Sequence, residues 1–430
     1  MKKRYLTILL AMLAMAPLQL GAQIQLEPSL AKISQKVDTD GDFLQLNKFD
    51  GDIATLIEYG ELALDIAKIE VSEIPANLKV AKIFKVLGLD AMKASALSSK
   101  KVDGSWNNKS YLYTGGSDKG VLSMYGETDA AYVVTNFAPE TTDIAVQLRM
   151  DLRQATQIIT EIAAAAGQNE MMEKEMTKKQ DELGGMTPFD LISKLDLCIN
   201  VAIDMDRAKR MPLPDEVGTA PTTELVARID GAAWAWDLFG DKLIMGTGIP
   251  WTKTEDAGVI TYTLPAEMRD SFQGYTPTIR IDKAKNFIWM ASKESVLATA
   301  LNASSKKLKD GVDFKATMAS LPSNGNSLLY ISKDVLNELV FQYDEAGKKG
   351  LLDDKDFKMV KPLMDKLITD LTTPKSGIAA VLAKDNEGIF SALRAPFPVK
   401  NYLNQLSPLF SQAAMFGAMN RRVMPIPNIQ

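Results

Sequence analysis

The sequence predicts an α+β protein of two similar domains, each an antiparallel sheet with helices packed on one face. Three observations predict it. Short β-prone runs alternate with Gly, Asn and Asp, the pattern of antiparallel strands joined by tight turns. Longer runs between them carry apolar residues at helical spacing. A strand-into-helix passage also occurs twice without a gap, as APETTDIAVQLRMDL from Ala138 and LPSNGNSLLYISKDV from Leu321. Pro139 matches Pro322, Val146 matches Leu329, Leu148 matches Ile331 and Asp151 matches Asp334. Each proline precedes a strand, and each aspartate stands where a helix begins and can cap it.

The chain starts with Lys2, Lys3 and Arg4, then an apolar run over 6–20 interrupted only by Thr7, Pro17 and Gln19. Leu20-Gly21-Ala22 follows, with small residues where a signal peptidase reads. This is the pattern of an export signal cleaved after Ala22, which places the mature protein in the periplasm or outside the cell. The competing reading is a membrane anchor, but the run is short for a span and Pro17 breaks it. The expected organisation is a signal peptide over 1–22, a first domain over 23–210, a linker over 211–223, a second domain over 224–418 and a flexible tail over 419–430. Pro212, Pro214, Gly218 and Pro221 mark the linker.

In the first domain, residues 23–36 are a loosely patterned lead-in, and Phe43, Leu44 and Leu46 form a short strand. Residues 53–69 form a helix, and a second helix opens near Pro75 and ends at Gly88. A meander follows, with strands at 111–113, 121–125 and 132–134. Residues 144–150 alternate as a half-buried strand, 152–166 form a helix and 168–183 a polar one. In 195–206, Leu197, Ile199, Val201, Ile203 and Met205 share one face, while Asp196, Cys198, Asn200, Asp204 and Asp206 share the other. That second row reads as the solvated face of a sheet. In the second domain, 232–239 is helical, and 259–264, 278–281 and 287–291 are strands. Helices follow at 294–301 and 314–320, then the repeated passage, a helix pair and a hairpin of 377–382 with 388–395. Residues 403–419 form a last helix.

Composition narrows the chemistry. The chain has no histidine and one cysteine, Cys198, in 430 residues. A Ser-His-Asp or Cys-His site is therefore impossible, as is a zinc site built on His and Cys. A disulfide scaffold is excluded as well. The net charge is −5, and becomes −8 when the three cations of the export signal are removed. That sign argues against nucleic acid as a partner. No segment after residue 22 approaches the ~20 apolar residues of a spanning helix.

Several constellations remain to be weighed. Ser98-Ser99-Lys100-Lys101 and Ser304-Ser305-Lys306-Lys307 both contain Ser-x-x-Lys spacing, which a Ser-Lys dyad would need and which also arises by chance. Asp38, Asp40 and Asp42 are spaced like the start of a calcium loop, but Phe43 and Phe49 stand where that loop needs Gly and Glu. An acidic β-turn is the plainer reading. Asp196, Asp204 and Asp206 are candidates to share a hard cation or to act as paired carboxylates. Trp234 and Trp236, with Phe239, are candidates to line a ligand site, although at i,i+2 the indoles point to different sides of a helix. There is no nucleotide-binding glycine loop, and no cofactor is expected.

The order of parts, from signal peptide through β-meander to the second copy beginning LPSNGNSLLYIS, resembles exported bacterial domains of unknown function. The resemblance implies export and a duplicated α+β fold, and carries over no catalytic residue. The expected function is a non-catalytic binding or structural protein of the envelope, its partner another envelope protein or an apolar small molecule. A carrier enclosing an apolar ligand is a second reading, suited by 21 methionines. A carboxylate-dependent hydrolase is a third.

Overall fold

The computed structural model describes residues 27–398, apart from 50, 71–73, 76–77, 126–129, 179, 181–184, 213–217, 269–271, 273, 351–354 and 374. The expected signal peptide with its cleavage point at Ala22, the helix over 403–419 and the tail over 419–430 lie outside the described residues, as does the centre of the expected linker.

The protein is a mixture of helices and antiparallel sheet, as an α+β reading requires. The strands are β1 (Phe43–Lys48), β2 (Ala94–Val102), β3 (Ser105–Tyr113), β4 (Ile144–Asp151), β5 (Asp196–Pro212), β6 (Thr219–Asp230), β7 (Thr252–Asp256), β8 (Val259–Thr263), β9 (Thr278–Asp282), β10 (Phe287–Ala291), β11 (Ser327–Ile331), β12 (Ile378–Lys384) and β13 (Gly388–Ala395). The helices are α1 (Pro28–Ser34), α2 (Asp52–Glu70), α3 (Val80–Val86), α4 (Val134–Phe137), α5 (Arg153–Ala165), α6 (Asn169–Lys178), α7 (Pro188–Ile192), α8 (Trp236–Gly246), α9 (Glu294–Leu301), α10 (Val312–Met318), α11 (Lys333–Lys348) and α12 (Lys355–Thr372).

The expected pair of separate sheets is not what forms. The described strands make one sheet in the order β1-β2-β3-β13-β12-β11-β4-β5-β6-β10-β9-β8-β7. The two halves of the chain interleave in it. Strands β1–β3 from the first half are extended by β13-β12-β11 from the second, and β4–β6 by β10-β9-β8. At the centre β4 pairs with β11, and Val146 lies directly opposite Leu329. The sequence alignment of the two passages expected to repeat sets the same two residues against each other.

Backbone contacts recur on both sides of that point. Asp143 N–H donates to the Ile203 carbonyl at 2.9 Å, and Asn326 N–H to the Leu382 carbonyl at 2.8 Å. Ser332 N–H donates to the Asp143 carbonyl, and Arg149 N–H to the Asn326 carbonyl. The Asp143 carboxylate accepts from Met205 N–H at 2.8 Å, and the Asn326 side-chain carbonyl from Lys384 N–H at 3.2 Å.

The two faces of the sheet differ. On face A, Ala145, Ala202, Leu328, Tyr330, Val381 and Ala392 are buried with Val134 and Phe137 of α4, Val296 and Leu297 of α9 and Phe314 of α10 in the largest core. Phe314 meets Tyr330 edge-on at 5.1 Å, and Phe137 meets Trp289 at 5.0 Å. Helix α1 continues this layer, where Ile33 packs with Ala94, Ala96 and Tyr111. On face B, α8 covers one end, packing Trp236 and Ile244 against Ile260, Tyr262, Ile281 and Ile288.

Local differences from the sequence reading have identifiable causes. Residues 132–134 enter α4 instead of a strand, because the Gln147 side-chain carbonyl accepts from the N–H groups of Val133 and Val134 and fixes that helix start. Residues 120–124 form a 3-10 turn. The expected linker is a hairpin arm: β5 runs to Pro212 and β6 starts at Thr219, with Met211 opposite Ala220. Helix α11 is capped by Ser332, whose Oγ accepts from Val335 N–H, and not by Asp334. Asp151 does accept from Arg153 N–H at the start of α5. Gly88, expected to end a helix, has φ +74 just after α3.

Adjacent leucines test the face assignment. Leu328 on face A is 1% exposed and Leu329 on face B is 37% exposed. Leu328→Ala is expected to cost about 2–5 kcal/mol in urea unfolding, and Leu329→Ala about 1 kcal/mol or less. Equal losses would contradict the two-face description.

Candidate functional site

The feature that stands out is the centre of face B. Period-two alternation puts Leu329 of β11, Val146 and Leu148 of β4, and Ile199 and Val201 of β5 on this face. In register, Leu393, Ala380, Leu329, Val146, Val201 and Ala227 form one row across six strands. Leu382, Ser327, Leu148, Ile199 and Ile229 form the next, and Ile378, Ile331, Ile144, Ile203 and Leu225 a third. None of these side chains is charged. Leu148, Ile199 and Leu329 are each 37% exposed, whereas their face A neighbours Gln147, Asn200 and Leu328 are buried. A contiguous apolar surface left open to water is the usual mark of an interaction site.

The middle of the polar row of β5, Cys198, Asn200 and Ala202, is therefore covered, contrary to the expectation of a solvated face, while Asp196 at its start is exposed. Asn200 donates to the Cys198 and Arg228 carbonyls. Cys198 is buried, and desolvation pushes its thiol pKa up, so it is not poised as a nucleophile. The signal missed in the sequence is size. Ala145, Cys198 and Ala202 are small, which suits close helix approach, and Gln147 and Asn200 bond to backbone.

The acidic candidates are not gathered into one cluster among the described residues. Asp38 pairs with Lys109 at 2.7 Å and Asp40 with Lys100 at 2.7 Å, while Asp42 accepts from Lys101 N–H. Asp196 lies 3.8 Å from Arg153, and Asp206 pairs with Lys209 at 2.9 Å. Asp204 accepts from the Thr141 hydroxyl. Among the described residues no group of three or more Cys, Asp or Glu side chains is placed to hold a metal ion. Trp236 is a core residue against Tyr262, and Trp234 donates its indole N–H to the Gly231 carbonyl; they do not converge on a ligand pocket.

In the Ser-Lys segments, Ser98 and Ser99 are buried within β2. Lys307 is buried too, and its ammonium donates to the Thr299 and Ala300 carbonyls and to Ser305 Oγ at 2.9 Å. Burial lowers the Lys307 pKa. With two helix-end carbonyls among its acceptors, this lysine is a C-terminal cap for α9.

A half-buried ion pair lies just before β4, at one end of the central strands. Arg207 forks onto Asp143 at 2.8 and 3.1 Å, and the Ser332 hydroxyl donates to the same carboxylate at 2.6 Å. Arg210 similarly forks onto Glu338 from α11. At the other end a cleft of about 320 Å³ lies between α3, residues 118–123 and α5, lined by Lys85, Lys119, Gln154, Gln157 and Glu161 among others. Ser123 in its mixed polar lining donates its hydroxyl to the Gly120 carbonyl at 2.6 Å. Among the described residues no helix is long and apolar enough to cross a membrane.

No protein-family model, curated protein or solved structure matches this chain.

Two predictions follow from the charged groups. Asp143→Asn leaves Arg207 without its counter-charge, and since Arg207 is partly exposed the expected loss is on the order of 2 kcal/mol in denaturant unfolding. Burial raises the Asp204 pKa, so the folded state holds that proton more tightly than the unfolded state. The group's contribution is then present at low pH and is lost as pH rises through the ordinary carboxylate range to the raised value. Asp204→Asn is expected to gain stability relative to the parent over that rise. A gain that shrinks with pH would contradict the burial.

Proposed function

We propose that this protein is an exported, non-catalytic binding protein of the envelope, working in the periplasm or outside the cell, and that it engages another envelope protein through the centre of face B. The observation that carries the reading is the uncharged surface around Val146 and Leu329, with Leu148, Ile199 and Leu329 open to solvent side by side. An open sheet face suits a macromolecular partner better than a carried small molecule, which needs enclosure. Export rests on the basic start, apolar run and small residues up to Ala22.

We further propose that the body is a duplicated α+β unit whose copies have exchanged strands. The support is the match of the repeat register with the pairing of Val146 and Leu329, and the recurrence of the Asp143 bonds at Asn326. A fused two-copy body of this kind is close to a two-fold axis at the centre of face B.

The test is photo-cross-linking in the exporting cell. A benzoyl-phenylalanine in place of Ile199 is expected to give an envelope-protein adduct of defined mass, abolished by Leu148→Glu. The same residue in place of exposed Glu255 on β7 should give none. No adduct from position 199, or the same adducts from both positions, would overturn the reading.

A further inference from the structure

We infer that the end of face A beside α10 is an anion-binding site, in which Arg394 and Asn107 hold one carboxylate or phosphate group of a small molecule. The site lies on the other side of the sheet from face B and does not depend on the role of that face.

The first observation is a buried cation without a counter-charge. Arg394 is only 5% exposed. It stands two positions beyond the core residue Ala392 on β13, so alternation puts it on face A. Its Nη1 donates to Ser320 Oγ at 3.1 Å, and its Nε is buried with no hydrogen-bond partner. Among the described residues no carboxylate pairs with it. Other arginines show what is usual in this chain. Arg153, Arg207, Arg210 and Arg228 each reach a carboxylate at 2.5–2.8 Å, with side chains 18–52% exposed. Of these five arginines, the most deeply buried is the one that bonds only a neutral hydroxyl. A guanidinium withdrawn from water is stable when an opposite charge meets it.

The second observation is the donor beside it. Asn107 lies directly opposite Arg394 on β3 and is also 5% exposed. Its Oδ1 accepts from Ser320 Oγ at 2.8 Å. That bond fixes the amide and leaves Nδ2 as a donor with no acceptor among the described residues. Two positions along β3, the Ser105 hydroxyl is 3.2 Å from that of Ser376, so these groups satisfy each other.

The third observation is that nearby acids are already engaged. Lys100, opposite Asn107 on β2, pairs with Asp40 at 2.7 Å. Lys109, the next face A residue of β3, pairs with Asp38 at 2.7 Å. What remains between Arg394 and Asn107 is a set of donors. A guanidinium fork with an amide N–H beside it matches a group that only accepts, as carboxylate and phosphate do. The chain's net charge of −5 opposes loose accumulation of anions, so an anion that binds is held by specific contacts.

The experiment is thermal unfolding of the full protein in rising sodium phosphate or sodium acetate, with ionic strength held constant by sodium chloride. An anion held only by the folded state raises the melting temperature with its concentration, by about 2 °C at roughly ten times its dissociation constant. The parent is expected to respond to at least one of the two anions, and the larger response tells phosphate from carboxylate. Arg394→Met is expected to lose the response. Asn107→Asp keeps the acceptor for Ser320 and sets a carboxylate against the guanidinium, so it too is expected to lose the response. That second variant decides the matter should Arg394→Met fail to fold. No rise in the parent with either anion overturns the inference, as does a rise that Asn107→Asp retains in full.

Discussion

The pairing of β4 with β11 is the contact on which the rest of the architecture depends. It joins strands 183 residues apart, and every other strand is added outward from that pair. Because the two strands run antiparallel, the chain leaves them at opposite ends of the sheet. Helix α5 therefore follows β4 at one end and α11 follows β11 at the other. The largest core packs α4, α9 and α10 on face A, and α8 packs on face B beyond β6, while Leu148, Ile199 and Leu329 at the centre of face B are each 37% exposed.

Polarity inside the layers follows from this arrangement. On face A, β4 and β5 bring residues that are small or bond to backbone, as Ala145, Gln147 and Asn200 do, beside the larger Leu328 and Tyr330 of β11. An apolar–polar alternation normally points its apolar side inward. Here both sides of β4 and β5 would be acceptable core, and the deciding factor is which side the helices reach.

This explains what was legible in the sequence. Strand β5, the β12-β13 hairpin, α2 and α5 could be read because their periodicity is a local property. The sheet order could not, because nothing in β3 specifies β13 as its neighbour rather than β4. The hairpin arm was hidden by its prolines. Pro221 lies opposite Arg210, beside the register shift between Asp206 and Arg210, where a ladder bond is already missing. Of the site residues, the apolar ones were visible as a row but assigned to the wrong side, and the acidic candidates had partners far along the chain, as Asp38 has in Lys109.

The interleaving also sets a timetable for folding. Strand β3 pairs with β2 on one edge, but its other edge is completed only by residues 388–395. Strand β4 likewise waits for residues 327–331. A ribosome must deliver residues 327–331 and 388–395 before either half-sheet can close. Such non-local closure is slow, since loop entropy is paid before the contacts form. The exposed strand edges of the waiting first half make the nascent protein a natural client for chaperones, however stable the finished sheet becomes.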